Sequence, residues 1–220
     1  MNDEPALQLY GYWLSMAAYR VRVALNLKGI RAQEIPINLQ SGEQSAPHFL
    51  AVNPEGAVPA LIEHGQPALT QSIAILEYLE ERFPKPALLP EDLRARARVR
   101  SLAALIISDT HPLIVPRVRN YLTTHAGFDH SAWRAWATHW VTRGATAMEA
   151  HLAGDPSTGD FCHGEHVTIA DICLASLMTI ARVLKFELRG IPTITRIVER
   201  CETIEAFEQA NPMRQLGAPG

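Results

Sequence analysis

The chain has 220 residues, 47% of them hydrophobic and 20% charged, with a formal net charge of −3. That describes an ordinary globule with enough apolar surface for one large core or two small ones, and it gives no reason to expect nucleic acid or an acidic membrane as a partner. No apolar run approaches the ~18 residues of a membrane span, and Met1–Gln8 has neither a basic n-region nor a signal core, so a cytoplasmic protein is expected. Cys162, Cys173 and Cys201 are odd in number and widely spaced, without a C-x-x-C pair, which excludes a disulfide framework. Cys162-His163 with His166 lacks a fourth ligand at familiar spacing and reads as a polar loop, so no metal is expected.

In chain order, the apolar run Leu7–Trp13 predicts a strand, residues 16–28 an amphipathic helix ended by Gly29, and Gln33–Asn38 a second strand. That βαβ unit is half of a thioredoxin-like domain. A short helical stretch around Pro47–Val52 is followed by the loop NPEGAVPAL, a strand Ala60–Glu63, a turn His64-Gly65-Gln66, an edge strand Pro67–Thr70 and a helix Ser72–Arg82. Residues 84–90 carry Pro84, Pro86 and Pro90 and predict a stiff linker.

Beyond the linker no strand pattern appears. Residues 92–122 predict a helix that Pro112 and Pro116 must kink or interrupt, and residues 130–152 a second long helix whose Trp133, Trp136 and Trp140 read as packing. After the polar loop Ala153–His166, Thr168 and Asp171 form a capping-box pattern before an apolar helix, a folding element with no catalytic role. Pro192–Ala210 predicts one or two terminal helices, and Met213–Gly220 a loose tail. The expected fold is therefore an α/β thioredoxin-like N-terminal domain (1–83), a linker (84–90) and an all-α C-terminal domain (91–220).

Three stretches carry chemistry. Ser15 stands where a strand feeds a helix; its hydroxyl either caps that helix or donates to an external thiolate and holds the sulfur charged. A cis peptide at Val58-Pro59 would expose the valine backbone to an extended peptide. Gln71-Ser72 opens another helix whose free N–H groups suit a carboxylate. Together they describe a thiol pocket and a peptide clamp.

The motifs RVRxAL, NPxGxVPxL and QSxAIxEYLE, in this order within residues 20–80, resemble the zeta class of glutathione transferases, which includes the maleylacetoacetate and maleylpyruvate isomerases, and the resemblance runs through nearly all of the chain. The resemblance implies a homodimeric enzyme that uses glutathione as a cofactor, adding its thiolate to a cis double bond of an activated diacid and expelling it after rotation. Matched position by position, it implies Ser15 as the thiolate partner and Val58 as the backbone clamp, with Gln71 and Ser72 on the γ-glutamyl end. Gln44 is a further glutathione contact on the same grounds, His111 a candidate near glutathione, and Arg117 a candidate for a substrate carboxylate. As a bare residue, Arg117 reads equally as a solvated helix-face cation.

This chain departs from the family's pattern at the helix start, where Ser15-Met16-Ala17-Ala18 keeps only the first hydroxyl, and at two positions where bacterial relatives carry arginines. Those positions hold Leu14 and Val183 here, with Arg182 one residue from the second. Two enzyme readings follow, a cis–trans isomerase of maleyl acids and a transferase toward a less anionic electrophile; a non-catalytic glutathione or ligand-binding protein on the same fold is the alternative. A disulfide reductase would need a cysteine at the helix start, where Ala17 and Ala18 stand.

Overall fold

The computed structural model describes residues 7–219. In chain order the elements are β1 (Leu7–Gly11), α1 (Met16–Leu27), β2 (Gln33–Pro36), α2 (Pro47–Leu50), β3 (Ala60–Glu63), β4 (Leu69–Thr70), α3 (Ser72–Arg82), α4 (Leu93–Ala104), α5 (Pro116–His125), α6 (His130–Ala153), α7 (Ile169–Val183), α8 (Pro192–Glu202) and α9 (Glu205–Gln209). They fall into two compact units, one holding the chain up to Leu88 together with Glu202 onward, the other Leu89–Cys201. Among the described residues no helix is long and apolar enough to cross a membrane.

In the first unit the sheet order is β2-β1-β3-β4, with β2 parallel to β1 and the hairpin β3-β4 antiparallel within it. This is the expected mixed sheet of a thioredoxin-like domain. Leu7 and Leu9 of β1 and Val21, Ala24 and Leu25 of α1 are buried in its core. Strand β1 stops two residues short of the predicted end, because Ser15 N–H bonds to Tyr12 O at 3.0 Å and folds residues 12–15 into a turn. Helix α1 ends as its sequence predicts: Gly29 sits at φ +67°, and the Gly29 and Ile30 N–H groups return to the Asn26 and Leu25 carbonyls, a Schellman closure that only an unhindered left-handed residue allows.

Two buried cations brace α1. Arg22 meets Glu34 of β2 in a two-point pair at 2.8 and 3.1 Å, and a Cβ at Gly11 would stand 2.7 Å from its Nη2, so glycine there makes room for the guanidinium. Lys28, whose side chain is fully buried, places its ammonium on Glu80, the Phe83 carbonyl and the Pro86 carbonyl at 2.7–2.9 Å, while Glu80 also accepts from Leu88 N–H. All three ammonium donors are satisfied, and the proline-rich linker is pinned to α1 and α3. The chain's end joins this unit as well: α9 packs on α1, Asn26 Nδ2 donates to Ala206 O at 3.0 Å, and the segment expected to be a loose tail carries a 3-10 turn at Pro212–Arg214.

The second unit is helical and built on α7, buried along most of its length. Its start is the predicted capping box: Asp171 accepts from the Thr168 N–H and hydroxyl at 2.8 and 2.7 Å, and from Cys162 N–H at 2.7 Å. Burial pushes the Asp171 carboxyl up from its ordinary value, opposed by those hydrogen bonds. The expected kinked helix is two helices. After Ala104 the chain widens into a π turn, Leu105–Thr110, tightens into a 3-10 turn, His111–Leu113, and restarts at α5 with Pro116 in the first turn, where a missing N–H costs nothing. Thr110 Oγ1 bonds back to Leu105 O at 3.0 Å and lies against Gly144 of α6, where a Cβ would clash at 2.2 Å. Trp133 is buried and Trp136 Nε1 donates to Leu113 O at 2.7 Å, so these two tryptophans of α6 serve packing.

Candidate functional site

The register of the sheet gathers the site. Tyr10 of β1 pairs with Ala60 of β3, which pairs with Thr70 of β4, while Gly11 pairs with Pro36 of β2. Because β3 alone runs the opposite way, the segments after Gly11, after Pro36, before Ala60 and after Thr70 all leave the sheet at one end. Those segments carry Ser15, Gln44, Val58, and Gln71 with Ser72 respectively. Residues scattered over almost 60 positions of sequence thus share one rim of the first unit.

At the α1 start Ser15 is the N-cap, with extended backbone, and its Oγ accepts from Ala18 N–H at 3.2 Å. The cap uses a lone pair and leaves the hydroxyl proton to donate outward, so the two readings of Ser15 are compatible. The neighbouring Tyr12 phenol is pushed up from its ordinary value, chiefly by burial, and stays protonated at neutral pH.

The loop before β3 is built by Asn53, which is buried. Its Oδ1 accepts from Glu55 N–H at 3.1 Å and its Nδ2 donates to Ala57 O at 2.7 Å, closing residues 53–57 into a tight turn. Gly56 adopts φ +58°, and a Cβ there would lie 3.1 Å from the Gln44 carbonyl oxygen, so glycine lets the two loops touch. The Val58-Pro59 peptide is cis, Val58 is half-buried, and its backbone N–H and C=O engage no hydrogen bond among the described residues. Gln44 Oε1 is buried and has no hydrogen-bond partner among the described residues. A buried acceptor left this way costs about 1–3 kcal/mol and is satisfied by a ligand that brings an N–H.

Helix α3 opens on Gln71 at φ 65°, ψ 112°, a region non-glycine residues rarely enter and that costs about 1–3 kcal/mol. Gln71 supplies no side-chain cap, so the first-turn N–H groups stay available to an anion. Its exposed amide donates to Glu55 Oε2 at 2.8 Å. Ser72 is buried, and its Oγ accepts from Nη1 of Arg20 at 2.9 Å. Arg20 opens the RVRxAL motif but carried no assigned role, and Glu55 did not stand out in the sequence.

His111 and Arg117 belong to the second unit. His111 is half-buried in the 3-10 turn, and Arg117 is exposed in the first turn of α5. Of the residues at the departures, Leu14 is half-buried, while Val183 and Arg182 are exposed at the end of α7. The three cysteines are buried, and burial with the nearby Asp171 pushes the Cys162 thiol well up, which suits packing and not redox chemistry.

Known proteins resemble this chain in sequence and in fold. Residues 5–81 match the glutathione S-transferase N-terminal domain. A maleylpyruvate isomerase of Ralstonia sp. is 40% identical over 209 residues, covering 95% of this chain and 98% of that protein. The structure of a maleylacetoacetate isomerase from Methylobacterium extorquens AM1, with bound malonate and GSH, is 46% identical with a TM-score of 0.95 over 97% of this chain and all of that one. The holo structure of a maleyl pyruvate isomerase, described as a bacterial glutathione S-transferase of the zeta class, is 39% identical with a TM-score of 0.93 over 96% of this chain and 100% of that one. The chain therefore belongs to the zeta class of glutathione transferases, among the maleylacetoacetate and maleylpyruvate isomerases.

Proposed function

We propose that this protein is a glutathione-dependent cis–trans isomerase of maleyl-type unsaturated diacids, with Ser15 as the hydroxyl that holds the thiol ionised. The observation that carries the reading is the single rim on which the sheet register sets Ser15, Gln44, Val58, Gln71 and Ser72. The donor set fits a γ-glutamyl tripeptide: a buried, unsatisfied acceptor on Gln44, an unpaired backbone at Val58 and an uncapped helix start at Gln71-Ser72. Bound glutathione supplies a thiolate that adds to the double bond and is expelled once the bond has rotated.

Ser15 lowers the energy of that anion by donating its proton, while the α1 dipole acts in the same direction. Shifting a thiol from ~8.5 by two units takes about 2.7 kcal/mol, within reach of one hydroxyl and a helix N-terminus. Gln44 and Val58 hold the peptide backbone, and Gln71 with Ser72 the γ-glutamyl end. His111 is assigned to glutathione and Arg117 to a substrate carboxylate on the resemblance. The proposal keeps the division into a glutathione-binding domain (1–83), a linker (84–90) and a substrate domain (91–220), and includes a cytoplasmic homodimer.

Leu14 and Val183 favour a second reading, conjugation of a less anionic electrophile. A maleyl substrate incubated with enzyme and a small amount of glutathione separates the two. Isomerisation beyond one equivalent, with glutathione recovered, supports the isomerase; stoichiometric loss of glutathione supports conjugation. Binding without turnover of either kind would leave the ligand-binding alternative.

A further inference from the structure

We infer that Thr110, seated on Gly144, and Trp136 fix the backbone of His111 against α6, and that all three act as positioning residues for that histidine. The inference rests on the assignment of His111 to glutathione above and goes beyond it, giving roles to residues that the assignment leaves without one.

After Ala104 the chain widens by one residue into the π turn Leu105–Thr110, which the His111 N–H closes on Ile106 O, five residues back. Single π turns are rare, and they recur at functional sites. One added residue swings the chain beyond it by about 100° relative to an unbroken helix, so the widening decides which of Thr110 and His111 faces α6. Thr110 does. It is 2% exposed, its Oγ1 donates to Leu105 O at 3.0 Å, and it presses on Gly144, where a Cβ would lie 2.2 Å from Oγ1 and 2.9 Å from Cγ2. Glycine is unfavourable in the interior of a helix such as α6, and here it makes the room in which Thr110 sits. His111, next in the chain, is left half-buried.

A second tie lies two residues further on. Trp136, also on α6, donates from Nε1 to Leu113 O at 2.7 Å, and its ring meets those of Phe128 and Trp140 edge-on, which holds the donor still. Between the two ties both backbone groups of His111 are engaged, the N–H with Ile106 O and the carbonyl with Ile114 N–H at 3.1 Å. The imidazole is thus carried on a Cα with little freedom to move. A hydrogen bond made from such a fixed group loses less conformational entropy than one made from a mobile loop, so the seat on α6 strengthens whatever His111 binds.

Calorimetric titration of the full-length protein with glutathione tests this through double-mutant cycles. His111→Ala should weaken binding about tenfold, the scale of one well-made hydrogen bond. Thr110→Val keeps the shape and removes the hydroxyl tie, and Trp136→Phe keeps the ring packing and removes the Nε1 donor. Each should weaken glutathione about three- to fivefold where His111 is present and leave it unchanged where position 111 is already alanine. Thr110→Ser, which keeps the tie, should lose less than Thr110→Val. Gly144→Ala, which lifts Thr110 off α6, should match the loss of His111→Ala, and Trp136→Phe carries the test where Gly144→Ala fails to fold. Losses that persist in the His111→Ala background, or a lowered melting temperature with affinity unmoved, overturn the inference, because both describe packing alone. Unchanged affinity in His111→Ala overturns it together with the role of His111, while the rest of the glutathione site stands. Wild-type protein that does not bind glutathione overturns the site assignment and the inference with it.

Discussion

The starts of α1 and α3 lie on the same rim and solve different problems. Helix α1 is capped by Ser15, which accepts from Ala18 N–H, so part of its orphan donor set is satisfied from within. Helix α3 has no capping side chain, begins on a strained Gln71, and has a buried arginine behind its first serine. A cap with a spare proton suits a soft anion that needs one directed donor. An uncapped turn suits a carboxylate, which accepts several hydrogen bonds at once. Helix α7 supplies the contrast, since Asp171 in its own first turn reaches back to the Thr168 N–H and hydroxyl and to Cys162 N–H, so the chain's own carboxylate occupies that helix start.

The comparison breaks first at α7. Asp171→Ala should cost about 3 kcal/mol or more of stability, because it strands buried donors on Thr168 and Cys162, each worth about 1–3 kcal/mol. Denaturant unfolding measures that loss, and glutathione affinity of the folded protein should be unchanged; a specific affinity loss would mean that α7 is not merely structural. At α3, Ser72→Ala should weaken glutathione by about 1–3 kcal/mol with saturated turnover retained, read as a KM effect. Unaltered affinity would return Ser72 to an ordinary helix-start residue.

A smaller effect concerns substrate. Leu14→Arg with Val183→Arg should raise kcat/KM for a maleyl substrate about tenfold, the scale of one added charged contact, without altering glutathione affinity. Efficient isomerisation by the wild type would show that another cation, Arg182 for instance, already serves. The smallest effect belongs to the second unit. Asp155 is held down at about 2 from an ordinary 3.8, first by the Ser157 N–H and then by Arg98. A depressed carboxylate contributes stability above its unfolded value that is lost as pH falls from about 3.8 through about 2. Arg98→Met should bring the Asp155 titration, followed by NMR, back toward its ordinary value with little change in melting temperature; no movement would assign the whole shift to the Ser157 amide.

The residues that open helices were legible in the sequence, since Ser15, Gln71-Ser72 and the Thr168–Asp171 box sit at fixed offsets from apolar helical runs. The thioredoxin-like sheet was legible for the same local reason. The contacts of Arg20 and Glu55 were not, because their partners lie 52 and 16 positions away and meet only through the Tyr10, Ala60 and Thr70 register. The prolines announced a break after α4, yet its π turn depends on Thr110 seating against Gly144, a contact between helices that no local pattern encodes. Strand β1 ran short of its apolar stretch because a turn bond at Tyr12 outcompeted further pairing.

The central claim is that Ser15 keeps the glutathione thiol ionised, and a thiolate absorbance titration of bound glutathione tests it most directly. In the wild type the bound thiol should ionise about two pH units below the ~8.5 of a free thiol, and Ser15→Ala should return at least about one of those units, the worth of a single charged hydrogen bond. A Ser15→Ala variant that binds glutathione and ionises its thiol at the wild-type pH would contradict the claim and leave the α1 N–H groups as the sole source of the stabilisation.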